Sequence, residues 1–304
     1  MKELSCILER AGRKMESDNI YWFRGHSDKD YQLIPSVFRP LEHGRFYNES
    51  KLLKEFVRIH PEAREKHSNT LELLTYAQHY GLPTRLLDWT TNLLVAIYFA
   101  CESNFDKDAI LYLYNITDEL DSTALKEATY HEFVHIDNRG EFFRFMFNEL
   151  EVLGKKSRTS FFARDLPLND FINLADFDNL QSLFSVEIRT DHILSQCWPW
   201  DDIFRVSIPY RPMLVNERVK RQHGCFTIHG GKIIDGEDLM VTLAMDEDYF
   251  NMACMNHKRV QAIIITSDLK KTLLKQLSIL GINKAYLFPE LEHQTQAIKD
   301  HCKY

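Results

Sequence analysis

Tyr76-Ala77-Gln78-His79-Tyr80-Gly81-Leu82-Pro83-Thr84-Arg85-Leu86-Leu87-Asp88-Trp89-Thr90 reads as the end of a helix, a turn and the start of a strand. Leu71, Leu74 and Ala77 recur at helical spacing behind Thr70, a capping residue type, and the helix stops at Gly81. Gln78 and His79 therefore fall on its last turn. Pro83 cannot continue the helix, so 84–89 is extended. Alternation points Arg85, Leu87 and Trp89 one way and Leu86 and Asp88 the other. Thr90, Thr91 or Asn92 then caps a second helix. Its Leu93, Leu94, Val95, Ala96, Ile97 and Phe99 are apolar nearly all round, which predicts deep burial. Polar side chains pinned between two buried helices cost desolvation and ordering, and they are plausible there when they bind something. Trp22-Phe23-Arg24-Gly25-His26 is a second anomaly, with an Arg inside a strand-like run and a Gly directly after it.

Outward from these stretches, helices are expected at 1–16, 49–60 and 269–280. Strands are expected at 20–24, 109–114, 203–208, 225–229, 260–266 and 285–288. Residues 31–40 are extended and punctuated by Pro35 and Pro40. The span 116–200 is helical, rich in Phe and charge, and without repeats. Strands and helices do not alternate regularly, which favours an α+β fold with a mixed sheet over a doubly wound one. No Pro/Gly/Ser linker divides the chain, so 1–304 reads as one domain with a helical insertion at 116–200.

The 304 residues carry a net charge of -7, with 44% hydrophobic and 27% charged residues. That composition is ordinary for a globular protein, and the acidic balance argues against generic nucleic-acid or acidic-membrane binding. Arg218, Lys220 and Arg221 form a local basic run whose plainer reading is a solvated edge. Cys6, Cys101, Cys197, Cys225, Cys254 and Cys302 are scattered, in neither a disulfide framework nor a zinc spacing. Cys101 and Cys225 sit in apolar runs, as buried thiols do. Met1-Lys2-Glu3-Leu4 opens an amphipathic helix rather than a signal peptide, and 93–101 is too short to cross a bilayer. A reducing cytoplasm is the expected compartment.

Phe23-Arg24-Gly25, Leu33-Ile34-Pro35-Ser36-Val37-Phe38-Arg39 and the 78–90 block together resemble the FRG domain family, named for its Phe-Arg-Gly motif. The similarity resumes at Arg218-Val219-Lys220-Arg221-Gln222-His223-Gly224-Cys225-Phe226-Thr227, at Leu280-Gly281-Ile282 and at Leu287-Phe288-Pro289-Glu290-Leu291. Only 116–200 looks unlike the family's pattern. The resemblance implies an FRG-type fold, a prokaryotic or phage source, and a toxin or phage-defence role.

The residues themselves point to anion and nucleotide chemistry. Arg24 is suited to bidentate capture of phosphate or carboxylate, and Gly25 leaves room for a ligand to approach. A structural Arg paired with Asp88 is the alternative. His79 offers a base or a donor, Arg85 an anion contact, and Asp88 an acceptor that orients Arg24, His79 or a ribose hydroxyl. Trp89 or Tyr80 offers a ring for stacking on a base, with Thr84 and Thr90 beside them. Gln222 adds an amide before the turn at Gly224, and Glu217 is the nearest acidic candidate. The order of Arg24, the 84–90 stretch and Glu217 or Gln222 is similar to that in ADP-ribosyltransferases, and Arg24, His79, Asp88 and Glu217 are the catalytic candidates. Gly25, Tyr80, Thr84, Arg85, Trp89, Thr90 and Gln222 are then ligand contacts. NAD is the expected substrate, a protein target is possible, and no metal is expected. The decisive carboxylate is the weak point, because Arg218 stands close to where the class places its Glu.

Two other readings stay open. One is a non-catalytic sensor or protein-recognition module built on the same polar network. The other is a zinc hydrolase, because His131-Glu132-Phe133-Val134-His135 matches HExxH. Its context is poor, since Asn138-Arg139-Gly140 follows and breaks the helix.

Overall fold

The computed structural model describes residues 1–42, 47–67, 70–117, 207–213, 216–229 and 259–291, the short stretches 233–234, 240–243 and 293–295, and residues 299 and 302. The HExxH stretch and nearly all of the 116–200 span lie outside the described residues.

The chain builds α1 (Lys2–Gly12), β1 (Tyr21–His26), α2 (Glu49–Ile59), α3 (Pro61–Lys66), α4 (Thr70–His79), β2 (Leu86–Thr90), α5 (Leu93–Cys101) and β3 (Ala109–Asn115). After these come β4 (Ser207–Tyr210), α6 (Glu217–Arg221), β5 (Gly224–His229), β6 (Ile233–Ile234), β7 (Met240–Leu243), β8 (Val260–Ile265), α7 (Lys270–Ile279) and α8 (Lys284–Leu287). Six strands form one sheet in the order β4-β5-β2-β1-β3-β8, and β6 pairs with β7 apart from it.

Helices plus this sheet make an α+β fold. The sheet is not mixed, as expected from sequence, but antiparallel at every registered pair. β2 and β3 do run in the same direction across the α5 connection, yet β1 lies between them and keeps them from pairing. The 285–288 stretch is also corrected, from strand to the short helix α8. Asn283 accepts a hydrogen bond from the Tyr286 amide at 3.0 Å and starts that turn. Pro209 sits in β4, an edge strand, where a missing N–H costs least.

α5 forms as the sequence expects. The Asn92 side chain accepts from the Leu94 amide at 2.9 Å, and Val95, Ala96, Ile97, Tyr98, Ala100 and Cys101 are buried. With α1 and α7 it covers one face of the sheet, against Tyr21, Phe23, Leu111, Leu113, Ile263 and Ile265. The opposite face buries Trp22, Leu87, Trp89, Tyr114, Cys225 and Val260. Alternation along β1 thus sends Tyr21 and Phe23 to the α5 side and Trp22 to the other.

Two features hold α5 in place. A Cβ added at Gly25 would lie 2.0 Å from the Ala96 carbonyl oxygen and 2.6 Å from the Ala100 amide nitrogen. Gly25 therefore lets a helix backbone ride directly on β1. At the far end, the fully buried Lys270 ammonium donates to the carbonyls of Ser27 (2.6 Å), Ser103 (3.0 Å) and Asn104 (2.7 Å), fastening the loops after β1 and α5 to the start of α7. The thiols of Cys101 and Cys225 are buried and free. Among the described residues, no helix is long and apolar enough to cross a membrane.

Candidate functional site

β1 pairs with β3 along its whole length but meets β2 at the single registered pair Phe23↔Thr90. Beyond that pair the two central strands part. The Arg24 side chain fills the gap, donating through Nη1 to the Asp88 carbonyl and through Nε to His26 Nε2 at 2.7 Å. A guanidinium here takes the role of missing ladder hydrogen bonds, since a central-strand carbonyl needs a donor. Asp88 Oδ2 lies 3.8 Å from Arg24 Nη1, and Asp88 Oδ1 accepts from Gln78 Nε2 at 2.8 Å.

A cleft of about 330 Å³ opens where the strands part. Arg24, Gly25, His26, Asp88, Trp89 and Thr90 line it from β1 and β2. Phe99 and Glu102 line it from α5, and Arg218, Gln222 and Phe226 from α6 and β5.

His26 holds Arg24 in place. Its Nε2 accepts from Arg24, and its Nδ1 lies 3.1 Å from the Tyr31 carbonyl, so these partners assign the proton to Nδ1. Burial, with help from the Arg24 charge, pushes His26 down to about 3, so it stays a neutral acceptor. Burial also lowers the Arg24 pKa, opposed by the carboxylate of Asp88. Beneath them, Trp89 Nε1 donates to Thr227 Oγ1 at 2.9 Å, and Thr227 Oγ1 lies 2.7 Å from His229 Nε2.

The structure thus gathers Arg24, Asp88, Trp89, Thr90 and Gln222 at one cleft, although some have tasks within the fold. Thr90 Oγ1 donates to the Gln222 carbonyl at 2.7 Å and accepts from the Asn92 amide at 3.0 Å, tying β2 to α6 and α5. Gln222 caps α6 rather than standing on a strand, and its Nε2 donates to the Leu287 carbonyl at 3.1 Å. The Trp89 ring is buried against Tyr114, with centroids 5.2 Å apart, so its flat face is not presented to a ligand.

Five expected site residues lie elsewhere. Arg85 points into the protein and forms a buried ion pair with Glu49, whose other oxygen accepts from the Arg85 amide at 2.6 Å. That guanidinium is committed to structure, not to an anion in the cleft. Thr84 is buried, donates to Gln78 Oε1 and accepts from the Leu86 amide at 3.2 Å. Tyr80 is 64% exposed and packs edge-on against Tyr76. His79 does not line the cleft, and burial followed by the Arg218 charge lowers its pKa. Glu217 pairs with Lys220 at 2.7 Å on the surface of α6, and that hydrogen bond holds its carboxyl below the usual range.

Four contributors are absent from the sequence-based set. Arg218 reaches the cleft while its guanidinium lies 4.7 Å over the Phe288 ring and 3.8 Å from Glu290. Phe226 and Phe99 supply apolar walls. Glu102 supplies the second carboxylate, and burial pushes it up to about 7 against the charges of Lys284 and Arg218. A lone acid directly after the all-apolar 93–101 run is the signal that marks it in the sequence. Among the described residues, no group of three His, Cys, Asp or Glu is placed to hold a metal ion.

Comparison with known proteins bears on part of this frame. The family model described as the FRG domain matches residues 19–109. The stretches at 218–227, 280–282 and 287–291 fall outside the matched span. No curated protein and no solved structure matches the chain. The chain carries an FRG domain over residues 19–109, the span that contributes β1, β2 and α5 to the cleft.

Proposed function

We propose that the cleft between β1, β2, α5 and α6 binds a nucleotide of the NAD or ADP-ribose type and that the protein acts on it. One observation carries this reading: two guanidiniums, Arg24 and Arg218, line a cleft that also holds the carboxylates of Asp88 and Glu102 and the rings of Phe99 and Phe226. Guanidiniums match a diphosphate, carboxylates match ribose hydroxyls, and phenyl walls match a base. The volume is that of a small-molecule site. The Arg24–His26 pair is preorganised, so little ordering remains when an anion arrives. A toxin or phage-defence role fits an effector that consumes or senses such a nucleotide.

A thermal-shift screen tests the reading with NAD, ADP-ribose, ATP, GTP and cyclic nucleotides. A ligand at 100 times its dissociation constant adds roughly 2.7 kcal/mol to stability. NAD or ADP-ribose is expected to raise the melting temperature of the wild type, and the shift is expected to vanish in Arg24→Ala and in Arg218→Ala. Arg218 is part-exposed at the cleft, so its variant separates lost binding from a damaged sheet. No shift with any nucleotide at millimolar concentration overturns the reading and favours a protein-recognition module on the same frame.

A further inference from the structure

Among the described residues, Glu102 is the charged group of the cleft without a hydrogen-bond or ion-pair partner. Its carboxylate makes no hydrogen bond and no ion pair among the described residues. Arg24 is engaged with Asp88, Asp88 also with Gln78, and Arg218 with Glu290. Glu102 is exposed to solvent at the mouth of the cleft that it lines. It terminates α5, so the negative pole of that helix faces it. Arg218 of α6, Lys284 of α8 and Tyr98, one turn back on α5, are the titratable and charged groups that act on it.

Two carboxylates that differ in their surroundings divide the work of glycosidic cleavage. One stays ionised beside the positive charge that develops at the anomeric carbon, and the other moves a proton. Asp88, fixed by Arg24 and Gln78, suits the first task. We propose that Glu102 is the catalytic base for hydrolysis of the N-ribosyl bond of the bound nucleotide, an assignment that rests on the nucleotide reading above. A water oxygen forms a bond to C1′ of the ribose as the C1′–N bond breaks. The base nitrogen keeps the bonding pair, so nicotinamide leaves NAD as a neutral molecule. The proton of the water passes to the Glu102 carboxylate and from there to solvent. Water is the sole co-reactant.

The carboxylate form is the active one. Because Glu102 sits at about 7, that form is scarce in mild acid and grows as the pH rises through neutrality. The rate is therefore expected to climb across that range.

NAD is the probe, and released nicotinamide the readout, with the full chain as wild type and as Glu102→Gln. Wild type is expected to release nicotinamide with a rate that rises through neutral pH. Glu102→Gln is expected to lose about 100-fold or more in kcat. Its residual rate should no longer follow that rise, while NAD still gives a thermal shift, smaller than in wild type because a ribose contact is altered. Glu102→Asp should recover part of the rate. The assignment is overturned if wild type is stabilised by NAD but releases no nicotinamide, or if Glu102→Gln keeps the wild-type rate and pH profile. The nucleotide reading survives both results. Absence of any NAD-induced shift in wild type overturns the assignment, and the nucleotide reading falls with it only if ADP-ribose and the other nucleotides give no shift either.

Discussion

Gly25→Ala is expected to destabilise the protein strongly. The new methyl carbon would sit 2.0 Å from the Ala96 carbonyl oxygen, 2.6 Å from the Ala100 amide nitrogen and 2.9 Å from the Ala100 Cβ. The first two are helix backbone, so no rotamer change relieves the overlap. Either α5 lifts from β1 or β1 leaves the sheet. Ordinary overpacking costs about 1–3 kcal/mol, and a rigid backbone clash belongs at or above the top of that range, ~3 kcal/mol. α5 is the apolar centre of the helical layer, so lifting it exposes Val95, Ala96 and Ile97 together. Urea unfolding followed by circular dichroism reads the change. A Gly25→Ala protein that unfolds at the wild-type midpoint contradicts the close approach of α5 to β1.

Breaking the Arg85–Glu49 pair is the second large effect. Both side chains are nearly inaccessible, at 4% and 5% of their surface. Glu49→Ala leaves a buried guanidinium without its carboxylate and the Arg85 amide without its acceptor. Removing one member of a buried pair costs about 3–5 kcal/mol. Replacing both, as Glu49→Leu with Arg85→Met, removes the stranded charge and is expected to recover part of the loss. Nucleotide-induced stabilisation is expected to persist in the double variant, because Arg85 does not line the cleft. A double variant that folds but no longer responds to nucleotide would return Arg85 to the binding site.

These two residues show what the sequence makes legible and what it hides. The helix, turn and strand across 70–90 are plain because Gly81, at φ 87, and Pro83 leave the chain few paths. The buried α5 is plain because its residues are apolar on every side. Arg24 and Asp88 are visible as charges inside strand-like runs, and the fold brings them together. The partner of Arg85 is hidden, because Glu49 lies 36 residues away and looks like any acid in the first turn of a helix. The α5 contact of Gly25 is hidden for the same reason. A glycine after an arginine signals an approach, but whether of ligand or helix is decided by tertiary packing. Glu102 carries no motif, and the desolvation that lifts its pKa arises only once the folded elements come together at the cleft. The turn before β5 misleads in a smaller way. His223, not Gly224, adopts the left-handed backbone, at φ 50.

The parting of β1 and β2 has one further consequence. A paired central sheet would leave no opening at Asp88, and no guanidinium would be needed there. The cleft exists because Arg24 substitutes for backbone pairing. Fold and site are therefore joined at one residue, which is why its substitution is expected to affect both.

A crystal structure of the wild-type protein grown with ADP-ribose decides whether this cleft is the nucleotide site proposed for it. Diphosphate density is expected against the guanidiniums of Arg24 and Arg218, with the ribose hydroxyls facing Asp88 and Glu102. ADP-ribose bound at another place, or an empty cleft at saturating ligand, would contradict it.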